Sequence, residues 1–215
     1  MKSKLIKAGA DLRRKQANPL PVMEQFYTLQ GEGIWTGTPA YFIRLAGCDV
    51  GCHWCDVKES WHPGDDQYLQ IEEIVVRALA SGTDRVVITG GEPTIYDLSL
   101  LTKQLHEAGL KIHMETAGVH PLIGDIDWVC FSPKKFLKPQ PEFYQKASEL
   151  KVIIFNDHDF PWAEEHAEKC ADHVQLFLQP EWSRRNKFTA KIVEYAKANP
   201  HWRVSLQTHK YIDIP

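Results

Sequence analysis

Apolar positions along the chain fall into short runs that switch between two periods. Residues 22–28 alternate as a strand does, and Tyr41-Phe-Ile-Arg-Leu45 is a second strand rich in aromatic and branched side chains. The period then lengthens. Ile71, Ile74, Val75 and Leu79 recur at i, i+3, i+4 and i+8, one face of a helix. A short apolar strand is predicted over 85–89, and Leu98, Leu101 and Leu105 mark a helix closed by Gly109. Further strands are predicted over 110–116, 126–131, 150–155 and 173–178. A helix carrying Phe188, Ile192, Tyr195 and Ala196 follows, then a last strand over 202–207.

Strands alternating with helices call for a parallel sheet with right-handed crossovers. Polar or glycine-bearing turns follow nearly every strand: Gly90-Gly91-Glu92-Pro93, Glu115 closing 110–116, Ser132-Pro133-Lys134, and Gln179-Pro180. Singly, each is an ordinary βα turn. Recurring at the same strand ends, they form the rim on which a barrel-like α/β fold carries its active site. The expected fold is therefore α/β, a partial barrel of mostly parallel strands. No repeat, low-complexity run or linker interrupts it, so 21–215 reads as one domain.

Composition narrows the picture further. Residues 1–20 carry Lys2, Lys4, Lys7, Arg13, Arg14 and Lys15 against one acid, Asp11. With no apolar core this is not a secretory signal, and it reads as a solvated basic arm rather than a transit peptide. A formal net charge of -3 leaves no basic field for nucleic acid. No apolar run approaches the roughly 18 residues that a membrane helix needs. An odd total of 5 cysteines argues against a secreted disulfide scaffold and for a reducing cytoplasm.

Three of those cysteines sit in Cys48-Asp-Val-Gly-Cys52-His-Trp-Cys55. A structural zinc site takes four closed ligands, often from two knuckles, and no second CxxC pair exists here. Iron–sulfur clusters are usually held by four closely spaced thiolates. Three thiolates leave one iron without a protein ligand, free to bind substrate or cofactor. The plainer alternatives are a structural metal knuckle or buried thiols. Upstream lies Thr28-Leu-Gln-Gly-Glu-Gly33, where two glycines around one glutamate permit a tight loop whose backbone approaches a ligand closely. Alone, it reads as a glycine-rich hairpin. Arg44, inside a strand, is either an edge charge or a fork awaiting a carboxylate.

The CxxxCxxC spacing matches the cluster loop of the radical S-adenosylmethionine (SAM) superfamily, whose open iron chelates SAM and whose electron cleaves it to a 5′-deoxyadenosyl radical. Joined to 28–33, Thr89-Gly-Gly-Glu-Pro93 and Gln207-Thr-His-Lys-Tyr211, it makes 22–215 resemble the 7-carboxy-7-deazaguanine synthase family. The resemblance implies a truncated barrel of about six strands, a homodimer and a flavodoxin- or ferredoxin-type reductant. It implies a [4Fe-4S] cluster on Cys48, Cys52 and Cys55, with SAM and magnesium as further cofactors. The pterin 6-carboxy-5,6,7,8-tetrahydropterin would become 7-carboxy-7-deazaguanine, in queuosine and deazapurine biosynthesis.

By the same resemblance Trp54, Cys55, Asp56, Gly91, Ser132, Pro133, Lys134, Gln179 and Pro180 line SAM, and Glu115 faces it. Leu29, Gln30, Gly31, Arg44 and Thr89 contact substrate. One position departs from the pattern: Val57 stands where a Thr or Ser hydroxyl would help to hold magnesium, and an isopropyl group offers no oxygen. Residues 208–215 are expected to form no element of their own, yet to fold over the site with the Pro215 carboxylate as a substrate ligand. Two other readings compete: a glycyl-radical-enzyme activase, which shares the cysteine spacing but needs a protein partner, and a non-catalytic iron–sulfur electron carrier.

Overall fold

One sheet of nine strands organises the computed structural model, which describes residues 18–215. Its strands are β1 (Leu20–Leu29), β2 (Pro39–Leu45), β3 (Tyr68–Leu69), β4 (Arg85–Gly90), β5 (Lys111–Thr116), β6 (Trp128–Phe131), β7 (Glu149–Ile154), β8 (Gln175–Pro180) and β9 (Trp202–Val204). They lie in the order β3-β1-β2-β4-β5-β6-β7-β8-β9. From β2 to β9 every pairing is parallel, while β1 runs antiparallel to both of its neighbours. The sheet does not close, so the fold is the partial barrel expected. The expected count of six strands falls short, because the parallel series continues into the three-residue β9 and the antiparallel β1 and β3 extend the other edge.

Helices α1 (Ile71–Ala80), α2 (Ser99–Glu107), α3 (Phe143–Lys146), α4 (Asp159–Ala167), α5 (Arg185–Ala198) and α6 (Thr208–Ile212) complete the fold. Ile71, Ile74 and Val75 of α1 are buried as their spacing requires, but Ala78 rather than Leu79 completes the stripe. These residues pack with Leu101 and Leu105 of α2 on β1, β2, β4 and β5. A second core joins Phe143, Phe160, Ala163, Phe188 and Ile192 of α3 to α5 with β6, β7 and β8. The strands bury apolar residues against these helices.

Alternate positions of β5, β6 and β7 carry His113, Glu115, Cys130, Glu149 and Lys151. Glu115 pairs in register with Cys130, and Cys130 with Glu149, so three polar side chains form one row across the sheet.

Several boundaries move for physical reasons. Residues 1–17 of the expected arm lie outside the described residues, and Leu20 does not belong to it. It is fully buried and pairs with Leu69. The strand expected over 202–207 stops at Val204, because the Ser205 hydroxyl donates to Gln179 Oε1 at 2.6 Å and accepts from Gly33 N at 2.9 Å. Those bonds draw the chain off the ladder and towards the 28–33 loop. Residues 208–212, expected to form no element, are a short helix tied down by Thr208 N and Oγ1, both donating to Gly31 O. Helix α4 escaped the apolar pattern because its buried face includes Asp159 and His166. The two-residue β3 is too short to show a period.

Candidate active site

The cysteine loop leaves the C-terminal end of β2 and is clamped from below. Gly47 has φ +102, and a Cβ there would stand 2.2 Å from Tyr96 Oη, which donates to Ala46 O at 2.7 Å. Gly91 N donates to Leu45 O at 2.9 Å and Glu92 N to Gly47 O at 2.8 Å. A Cβ on Gly91 would lie 2.2 Å from Gly47 O and 2.8 Å from Cys48 Cβ. The Gly-Gly-Glu-Pro turn thus packs backbone against backbone under the cluster loop. The buried Glu92 carboxylate accepts from Thr94 N, Thr94 Oγ1, Thr116 Oγ1 and Ala117 N, which joins the ends of β4 and β5.

Cys48, Cys52 and Cys55 all line one cleft of about 530 Å³ at the C-terminal ends of the parallel strands. Burial pushes the Cys48 thiol up to about 12 and the Cys52 thiol up to about 11, with Lys134 opposing the latter. Bare thiolates are therefore disfavoured here, and a bound cationic centre would supply the missing countercharge. Among the described residues, the set of three metal-ligating atoms drawn within 4.8 Å of one another is His113, Glu115 and Glu149, not the cysteines. The three thiols are therefore not drawn together as the ligands of a single ion would be. Cys130, buried on β6, and Cys170, in the turn after α4, do not line the cleft.

Every other site residue read from the sequence lines this cleft except Pro133, which is buried. Lys134 Nζ donates to the Ser132 hydroxyl at 2.8 Å, and burial lowers its pKa. Trp54 packs with Phe136 at 6.3 Å between ring centroids. Asp56 is paired with Lys210 of α6 at 2.5 Å. Pro215 lies at the cleft edge, where its backbone oxygen accepts from Thr28 Oγ1 at 3.3 Å. Arg44 is not a free fork: its Nε donates to Glu24 on β1 at 2.5 Å, and its guanidinium stands 5.9 Å over Phe26. Arg44 is thus tied across to β1 and also lines the cleft.

A family model of the Radical SAM superfamily matches residues 42–134. A 7-carboxy-7-deazaguanine synthase from Flavobacterium psychrophilum is 54% identical, covering 91% of this chain and 93% of the relative. The chain belongs to the 7-carboxy-7-deazaguanine synthase family. A synthase of that name from Synechocystis is 47% identical over 90% of this chain and 93% of its own length, and one from Escherichia coli K12 is 36% identical over 90% and 98%. The crystal structure of QueE from Escherichia coli superposes with a TM-score of 0.79 at 33% identity, covering 89% of this chain and 95% of that one. Membership in a radical SAM family implies a [4Fe-4S] cluster and SAM as cofactors, and the likeness to the synthases disfavours the activase and electron-carrier readings. Among the described residues, no helix is long and apolar enough to cross a membrane.

Beneath the cleft, this synthase-family chain holds a charge cluster that sequence reasoning missed. Lys151 Nζ donates to Glu32 Oε2 at 2.5 Å and Glu115 Oε2 at 2.7 Å. Burial raises the Glu32 carboxyl, but the charge and hydrogen bond of Lys151, with donations from Gln179 and Gln207, overcome it and hold the group at about 2. Burial would lower Lys151, yet the acidic groups around it raise it well above its ordinary value. Glu149 is raised by burial and by Glu115, and it accepts from Ile34 N at 3.1 Å. His113, 1% exposed, is pushed down to about 4 by burial, and neither ring nitrogen has a hydrogen-bond partner. The signal was present: charged residues at inward positions of the buried strand Glu-Leu-Lys-Val-Ile-Ile need partners.

Proposed function

We propose that the protein is a radical SAM enzyme that converts 6-carboxy-5,6,7,8-tetrahydropterin to 7-carboxy-7-deazaguanine with loss of ammonia. The observation that carries this reading is the convergence of the three loop thiols, the 28–33 loop and the Gly-Gly-Glu-Pro turn on one cleft. The product is the substrate less one ammonia, so the overall reaction needs no net oxidant. When bound, the cluster and SAM supply one-electron chemistry that opens a strong C–H bond. The chain's own task is to hold the pterin beside them and keep water out.

Cleft residues divide accordingly. Trp54, Asp56, Gly91, Ser132, Lys134, Gln179 and Pro180 form the SAM side, with Pro133 supporting them. Leu29, Gln30, Gly31, Thr89 and Pro215 form the substrate side. Glu115 stands between the two sides, bonded to Gln30 at 3.3 Å. A pterin presents amide and amino N–H donors, and the acceptors that face them are the cleft carboxylates. Its carboxylate needs a cation. Arg44 spends Nε on Glu24 and keeps its Nη groups for that purpose. Magnesium, where it assists, takes oxygens from substrate, water and Asp56, since Val57 provides none. A homodimer, a flavodoxin- or ferredoxin-type reductant and a cytoplasmic setting belong to the same proposal.

Anaerobic reconstitution followed by reduction in the presence of SAM tests the class. Formation of 5′-deoxyadenosine excludes an electron carrier. Pterin consumption with no second protein present excludes an activase. A reconstituted, reduced chain that leaves SAM intact would defeat the proposal.

A further inference from the structure

We propose that Lys151 is a positioning residue: from the cleft floor its ammonium locks Glu32 of the 28–33 loop to Glu115 of β5, fixing two acceptors beside the pterin. The inference rests on the function proposed above and adds a residue to which no role there was given. Its geometry is a continuous chain of five cleft-lining side chains. Gln207 Nε2 donates to Glu32 Oε1 at 3.0 Å, Lys151 donates to both carboxylates, and Gln30 Nε2 donates to Glu115 Oε1 at 3.3 Å. The chain ties the loop after β1, strands β5 and β7, and the entry to α6 to one nitrogen. That nitrogen sits on a side chain only 5% exposed, so the tether is dry and screened little by salt.

Among the described residues, Lys151 is the one cation hydrogen-bonded to either carboxylate. The other titratable groups around the pair do not substitute for it. Lys134 spends its ammonium on Ser132. His113 is held neutral by burial, and burial lowers His209 as well. Cys130 and Glu149 stand in the same row as Glu115, and burial raises both. Remove the ammonium, and two carboxylates face each other in a desolvated site. One of them then takes up a proton. A protonated oxygen is a donor, and it mispairs with the N–H edge it is meant to accept from. The loop carrying Gln30 and Gly31 also loses its anchor to the sheet.

The test uses the full reconstituted chain with Lys151→Met, which keeps the stem and removes the charge, and Lys151→Arg, which keeps the charge and alters its shape. Cluster absorbance reports folding and loading. Pterin dissociation constants and the pH profile of kcat/KM report the positioning. For Lys151→Met the expected result is a normal cluster and a pterin dissociation constant raised by about ten-fold or more, the loss of one charge-assisted contact. The acid limb of kcat/KM moves to higher pH, because a carboxylate now titrates nearer neutrality. Lys151→Arg should keep the native pH profile and bind pterin more weakly than the native chain. A cluster-loaded Lys151→Met with native pterin affinity and native pH profile would overturn the proposal, leaving the ion pairs as packing only. If Lys151→Met does not load a cluster, Lys151→Arg decides: weakened pterin binding with an intact cluster supports the role, and native binding refutes it. A native chain that neither binds nor turns over the pterin instead refutes the function on which the inference stands.

Discussion

At the scale of the residue, the cleft is defined by which cysteines face it. Cys48, Cys52 and Cys55 do, while Cys130 and Cys170 do not. Replacing any one of the three by Ala should abolish the cluster's visible absorbance and all SAM cleavage, because no fourth thiol lines the cleft to take its place. Replacing Cys130 or Cys170 should spare the absorbance. Loss of the cluster in Cys130→Ala would mean that a fourth thiolate is in use. His113 contributes to the acid behaviour, as does His166, which burial also lowers to about 4. The folded pKa of His113, about 4, lies below the ordinary 6.5, so between those values the unfolded chain binds a proton that the folded chain excludes. Stability is therefore lost as pH falls through that window, by about 2 kcal/mol between roughly pH 7 and pH 5. Denaturant unfolding of His113→Leu at both pH values should show most of that loss removed, with no penalty at neutral pH, because two unpartnered ring nitrogens leave the core. An unchanged pH slope would place the acid sensitivity elsewhere.

At the scale of the element, function depends on two turns pressed together. The loop after β2 carries the thiols, and the turn after β4 supports it through Gly91 and Glu92. Gly91→Ala drives a methyl into the Gly47 carbonyl, and neither backbone is free to give way. It should cost about 1–3 kcal/mol of packing strain and lower the iron content after reconstitution. Iron content equal to the native chain would show the two turns to be independent. This junction was legible in outline: glycines, a glutamate and cysteines at successive strand ends marked a rim. What could not be read was depth. Glu115 was visible at a strand end, but its partner Lys151 comes from a strand far along the chain, and only the parallel register brings Glu115, Cys130 and Glu149 into one row. The helical turn at 208–212 was likewise invisible, since its bonds run to Gly31 rather than along its own short length.

At the scale of the whole molecule, an open parallel sheet presents its strand ends to one cleft while apolar residues pack against the helices behind. Around that cleft, the thiols, the glycine turn and the 28–33 loop come from separate strands, and the Glu32–Lys151–Glu115 tether joins the last of these to the floor. The central claim is that this cleft contracts a pterin ring. The most direct measurement is mass spectrometry of the anaerobic reaction of the reconstituted, reduced chain with SAM and 6-carboxy-5,6,7,8-tetrahydropterin. The account requires a product lighter than the substrate by one ammonia, formed without any second protein and only when the cluster cysteines are intact. SAM cleavage that leaves the pterin mass unchanged would contradict it.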